Sequence, residues 1–130
     1  MAGEKMEELV LVTNDGYSGI AQFDVMAIRD TKSLNKFYSQ INKTRKPGLP
    51  VPMIDFSHEM AIVVCMGEQQ GLVEPLLSKI NETNEELTVA VELSKVDGQE
   101  KNEDAPISYP FYLYKMPASS KTLNFQKVGW

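Results

Sequence analysis

Met60-Ala61-Ile62-Val63-Val64-Cys65-Met66 is an unbroken apolar run with three β-branched side chains and no charge. Successive side chains of a strand point to opposite faces. A run with no polar alternation therefore needs apolar cover on both sides, which predicts a central, doubly buried strand. The residues that feed it, Ile54-Asp55-Phe56-Ser57-His58-Glu59, hold the only histidine of the chain, and Cys65 within the run is the only cysteine.

Around this strand the period of the sequence changes several times. Leu9-Val10-Leu11-Val12 predicts a first strand, ended by the turn residues Asn14-Asp15-Gly16, with Gly16 free to take positive φ. Residues 22–29 predict a second strand through Phe23, Val25, Met26, Ala27 and Ile28. Leu34, Phe37, Tyr38 and Ile41 then fall at i, i+3, i+4 and i+7, the stripe of a helix over 31–42 capped by Asp30 or Thr31. Lys46-Pro47-Gly48-Leu49-Pro50-Val51-Pro52 continues neither helix nor central strand and reads as an exposed, rigid connector, with a polyproline ligand as the alternative.

Downstream, Leu87, Val89, Val91 and Leu93 alternate with Thr88, Ala90, Glu92 and Ser94, the signature of a half-buried antiparallel strand. Residues 76–80 are its hairpin partner across a turn at 81–86. Residues 67–75 and 96–106 hold too few apolar side chains to be packed inside and are expected to be exposed loops. Residues 109–116 and 122–128 supply two last strands. In the first of these, Tyr109 and Phe111 face one way and Tyr112 and Tyr114 the other, both pairs expected in the core. The fold expected is α+β: one domain over 1–130 with residues 1–8 flexible, and a twisted, mostly antiparallel sheet with one main helix packed on one face.

Composition narrows the function classes. With 130 residues, 42% apolar and 24% charged, the chain is an ordinary globular domain that buries roughly two thirds of its unfolded surface. A net charge of −5 disfavours phosphate backbones and anionic lipid as partners. Lys32, Lys36, Lys43, Arg45 and Lys46 gather positive charge on the helix and the loop after it, read as a solvated face with an acidic partner as the alternative. The N-terminus lacks the features of a secretory signal and no apolar run approaches a membrane span, so direct membrane insertion is not expected.

Ser57, His58 and Glu59 invite a catalytic reading. If they enter a strand, however, His58 faces away from its two neighbours, so they cannot hydrogen-bond in series as a triad requires. Cys65 lies seven residues beyond His58, about 23 Å along an extended chain. Asp55 and Ser57 suit a turn that feeds the strand, His58 a surface position and Cys65 a small buried hydrophobe. One histidine and one cysteine leave no conventional zinc set, so no metal or cofactor is expected.

Over nearly its whole length the chain resembles the C-terminal domain family of the bacterial protease-complex subunit PrcB. The matching pieces are Tyr17-Ser18-Gly19-Ile20, the strand and helix over 25–41, Ile54-Asp55-Phe56-Ser57-His58-Glu59-Met60 running into 61–67, and Ser108-Tyr109-Pro110-Phe111-Tyr112-Leu113-Tyr114-Lys115-Met116-Pro117. After Gly67 the chain departs from the family's Thr-Gly-Gly-Tyr-type turn, having Glu68-Gln69-Gln70-Gly71-Leu72 instead. The resemblance implies a lipoprotein-like, extracytoplasmic accessory subunit without enzymatic activity, with a protein partner such as a surface protease complex. It places the partner contact at Gln69, Gln70, Gly71 and Leu72, with Leu72 as apolar anchor. The alternative is a small hydrolase built on carboxylates such as Asp55, Glu59 and Glu74.

Overall fold

A computed structural model describes residues 4–5, 8–43, 47–70, 73–95 and 107–128. The apolar run lies in β4 (Glu59–Met66), which pairs antiparallel on one side with β3 (Phe23–Ile28) and on the other with β9 (Phe111–Pro117). β9 in turn pairs antiparallel with β2 (Val10–Asp15), so the sheet reads β2-β9-β4-β3. Along β4 the alternation divides the run between two cores. Ala61, Val63 and Cys65 join one cluster with Ile28, Phe111 and Leu113, whereas Ile62, Val64 and Met66 join another with Val73 and Val91. Each such side chain taken fully out of water contributes about 1.5–3 kcal/mol before the entropy of ordering it is counted.

The first cluster is closed by α1 (Thr31–Ile41), whose buried residues are Leu34, Phe37, Tyr38 and Ile41. Asp30 caps the helix, its Oδ1 accepting from the Ser33 N–H at 2.7 Å. Phe37 meets Tyr38 and Phe111 edge-on, with ring centroids 5.6 and 5.5 Å apart. At the far end the Asn42 side chain brackets Leu49, donating to its carbonyl at 3.1 Å and accepting from its N–H at 2.9 Å. This bracket turns the Pro-rich connector back, and Leu49, Ile54 and Phe56 then pack against the same cluster as the helix.

The second cluster is closed by another sheet, which corrects the expectation of a single sheet with one face left open. β1 (Glu4–Lys5), β6 (Val73–Glu82), β7 (Glu86–Lys95) and β10 (Thr122–Val128) form a four-stranded sheet ordered β1-β6-β7-β10. Leu77, Leu93, Leu123 and Phe125 from this sheet and Phe23, Val25, Tyr112 and Tyr114 from the first pack against the same buried cluster. The protein is thus three-layered and richer in sheet than expected, with α1 on one face of the β4 sheet and a second sheet on the other. Pairing is antiparallel except for β10, which runs parallel to β7. A third, two-stranded ladder joins β5 (Gln69–Gln70) to β8 (Ile107–Ser108). Among the described residues no helix is long and apolar enough to cross a membrane.

Several local expectations shift with this second layer. β6 starts at Val73, so Gly67, Val73 and Pro75 are buried instead of lying in an exposed loop. The N-terminal expectation changes too, since Glu4–Lys5 pair with Lys79 and Ser78. The hairpin turn narrows to 83–85, closed by Thr83, whose N–H donates to Glu86 O at 2.8 Å and whose Oγ1 accepts from Glu86 N at 3.0 Å. Residues 96–106 lie outside the described residues.

Polar groups tie the layers together at their margins. The Tyr112 hydroxyl donates to Val73 O at 2.8 Å, and the Lys127 ammonium sits 4.8 Å from the centre of the Phe23 ring. The Arg29 guanidinium donates to the carbonyls of Ser119 and Lys121, in the link that carries the chain from one sheet to the other. Lys121 and Lys79 both pair with Glu82 and hold its carboxyl down at about 2.

β2 extends through Asp15, past the expected turn, and positive φ falls at Gly19 and Gly67 and not at Gly16. At Gly67 (φ 75°) a Cβ would also stand 2.9 Å from the Phe23 backbone nitrogen, whereas a Cβ on Gly16 meets nothing within 4 Å. Gly67→Ala is accordingly expected to cost about 2 kcal/mol or more, against a change within about 1 kcal/mol for Gly16→Ala; urea unfolding of both variants reads the difference. Phe37→Ala should cost about 3–5 kcal/mol in the same assay. A cost below about 1 kcal/mol would contradict the packing of α1.

Candidate functional site

Two places bring chemically capable side chains together. The first is the turn before β4. Residues 56–58 form that turn and the strand begins at Glu59, so the premise that places Ser57 and His58 on opposite faces of a strand does not hold. The side chains converge: Ser57 Oγ donates to Asp55 Oδ1 at 2.5 Å, and His58 Nδ1 lies 2.8 Å from Asp55 Oδ2 and 2.9 Å from Ser57 Oγ.

The convergence does not form a relay. A hydrolytic triad needs the serine at one ring nitrogen of the histidine and the carboxylate at the other. Here both partners lie at Nδ1, and the Ser57 proton is held by Asp55. The backbone explains the cluster: Asp55 O accepts from His58 N and Glu59 N, and Asp55 Oδ1 accepts from Ser57 N at 3.1 Å, an Asx turn that starts the strand. His58 and Asp55 side chains are 80% and 60% exposed, so no wall excludes water. The three hydrogen bonds, from the Ser57 hydroxyl, the His58 ring and the Ser57 N–H, hold the Asp55 carboxyl down at about 2.

Cys65 is fully buried in the extended part of β4, and burial, with the Asp24 charge adding, pushes its thiol up to about 12. It is held as a neutral hydrophobe, away from His58 along the strand. The carboxylates also stay apart. Glu59 pairs with Lys115 at 3.4 Å. Glu74 lies on β6, in the other sheet. Among the described residues no three His, Cys, Asp or Glu side chains are grouped to hold a metal.

The second place is the other end of β4. There the backbone of 16–18, 66–70 and 107–110 meets: Tyr109 N donates to Gly16 O at 3.0 Å, Ser18 N to Tyr109 O at 2.7 Å and Met66 N to Pro110 O at 2.9 Å. This convergence places the Tyr17 and Tyr109 rings edge-to-face at 5.9 Å. The Tyr109 hydroxyl donates to Glu68 Oε1 at 3.3 Å, and the Glu68 charge raises the phenol's pKa. Tyr17 and Ile107 remain 45% and 54% exposed.

The expected contact residues are divided by this geometry. Gln69 and Gln70 form β5 beside Ile107 and Ser108, which brings them to the tyrosines. The Gln69 amide turns back to donate to Met66 O at 3.0 Å, bracing its own turn, whereas Gln70 is exposed. Gly71 and Leu72 lie outside the described residues. Tyr109 does not belong to the core expected for it: the strand starts at Phe111, and only Phe111, Tyr112 and Tyr114 pack inside. Pro110, which cannot donate to a ladder, is the sequence feature that separates Tyr109 from that strand.

The Asp55 hydrogen bonds generate a pH prediction. Because the folded-state carboxyl lies below the ordinary value near 3.9, its contribution to stability is present above that value and lost as pH falls towards about 2. Asp55→Asn should therefore unfold at a lower temperature than the native protein at neutral pH, and the gap should close between pH about 4 and about 2. A gap independent of pH would show that the charge of Asp55 has no part in the turn.

Comparison of the chain with protein-family models, with curated proteins and with solved structures finds no match.

Proposed function

We propose that this chain is a non-enzymatic protein-binding or accessory domain of the cell envelope, as the resemblance to the PrcB C-terminal domain family implies. Its partner is then a protein, a surface protease complex in that resemblance. The observation that carries the reading is the pair of exposed Tyr17 and half-buried Tyr109, with Ile107, Glu68 and Gln70 around it, at the end of β4. Tyrosine offers a large rigid contact with a polar tip and loses little side-chain entropy on binding, which is why it is enriched in protein interfaces. Neither the Asp55–Ser57–His58 turn nor the separated carboxylates offers a comparable arrangement for chemistry.

A partner captured from the source cell with the tagged chain, then purified and titrated, tests the reading. Tyr17→Ala and Tyr109→Ala should each weaken association by about 1–2 kcal/mol, with His58→Ala unchanged. Thermal unfolding distinguishes lost contact from lost fold. Undiminished affinity in both tyrosine variants removes the proposed contact, and a hydrolytic turnover abolished by Asp55→Ala in a folded protein overturns the non-enzymatic reading.

A further inference from the structure

The outward face of α1 carries charge that the fold uses little: Lys32 helps to keep the Asp30 cap carboxyl ionised, after the hydrogen bonds from Ser33. Taking Lys32 as origin at roughly 100° per residue, Lys36 lies about 40° from it, whereas Leu34, Phe37, Tyr38 and Ile41 occupy the opposite arc, and Lys43 stands two residues past the end of the helix. The stripe extends about 16 Å along the helix and the turn that follows it. Residues 31–54 contain five of the thirteen basic residues and none of the eighteen acidic ones, so this segment carries +5 and the rest of the chain −10. Arg45 and Lys46 complete that count but lie outside the described residues.

Helix stability does not account for the stripe. Lys32 sits in the first turn, at the positive end of the helix dipole, and Lys32 and Lys36 are like charges at i and i+4; both arrangements are unfavourable. No carboxylate lies on α1 to balance them; Asp30, at the cap, is the nearest acidic residue in sequence. Beside the C-terminal end, where Asn42 brackets Leu49, the connector exposes Pro50 and Val51 and leaves Met53 96% exposed. A proline-braced segment presenting a flexible thioether offers an adaptable apolar contact in the connector that Asn42 ties to the helix end through Leu49.

We propose that this face of α1, with the Val51 and Met53 shoulder beside it, docks an acidic peptide segment of a partner protein that interleaves carboxylates with apolar side chains. The choice of partner follows from charge. Two lysines on one helix face and Lys43 just past its end suit a short row of carboxylates, whereas the −10 carried by the remainder repels an extended polyanion such as duplex nucleic acid or an anionic bilayer. This surface makes no use of the Tyr17–Tyr109 pair, and the proposal stands or falls independently of it.

The test is fluorescence anisotropy with a labelled peptide of alternating glutamates and leucines, against a glutamate–serine peptide, labelled duplex DNA and phosphatidylserine vesicles. The expected result is saturable, salt-sensitive binding of the glutamate–leucine peptide, in preference to the other probes. Lys32→Glu/Lys36→Glu/Lys43→Glu should weaken it by at least about tenfold while the melting temperature changes little, because Lys32→Glu favours the helix dipole and Lys43→Glu, past the C-terminal end, opposes it. Lys36→Glu should weaken binding more than Lys127→Glu, which changes net charge equally on another layer, and Met53→Ser should remove the preference for leucine over serine. Absence of binding, equal affinity of the triple variant, equal effects of Lys36→Glu and Lys127→Glu, indifference to leucine, or tighter binding of DNA or vesicles would each overturn the proposal.

Discussion

Everything in this fold follows from the need to keep β4 dry on both faces. A strand of Met, Ala, Ile, Val, Val, Cys and Met has no side to turn to water, and one amphipathic helix of eleven residues covers only one side of it. The other side takes a second sheet, whose inward residues Leu77, Val91, Leu93, Leu123 and Phe125 meet Ile62, Val64 and Met66. The chain must then leave β3, cross the outer face as α1 and return to start β4 beside the place where β3 ended, since Ile28 pairs with Ala61. The local hydrogen bonds from 42 to 59 serve that return. Asn42 reverses the chain at the end of the helix, and Asp55 reverses it again into the strand. The meeting of Asp55, Ser57 and His58 is thus a consequence of chain direction and requires no catalytic cause.

The same requirement explains where the polar groups work. The two sheets meet through apolar surface, so their relative placement rests on a few directional contacts at the margins. Tyr112 reaches the Val73 carbonyl, Arg29 holds the link between β9 and β10 by two carbonyls, and Glu82 collects Lys79 and Lys121. These groups are partly exposed, so they add modest energy but fix register. Gly67 does the complementary task at close quarters, since the backbone of Phe23 passes where a Cβ would stand.

Local periodicity carried much of this. The stripe at 34, 37, 38 and 41, the Asp30 cap and the unbroken run of β4 are each set by residues within one turn or strand, and the structure agrees with each; the alternation of 87–93 gives the strand β7 but not its outward face, since Ala90 is fully buried. What was not legible depends on distant pairing. Val73 and Pro75 sit in a polar stretch and become buried only because β7 and Tyr112 come to meet them. The second sheet was hidden for the same reason, since strand alternation states that a face is covered and does not say by what. Strand alternation carried back from β4 separates Ser57 and His58, which a three-residue turn brings together. Alternation carried back from β9 puts Tyr109 in the core, across the break that Pro110 imposes.

The distribution of charge follows from the layers as well. The segment from Thr31 to Ile54 is free of carboxylates, whereas eight of the eighteen acidic residues lie in strands of the two four-stranded sheets. A helix packed by an apolar stripe alone tolerates any charge on its outward face, because that face makes no contact with the core. A positive layer on an acidic body gives the molecule a dipole that reaches about a Debye length into solution, near 10 Å at moderate salt. Such a field orients an approaching charged partner before contact and raises the rate of productive encounter more than the final affinity. The helix, needed by the core only for its inner stripe, is therefore the element whose outer surface is free to vary with a partner while β4 and its two covers stay constant.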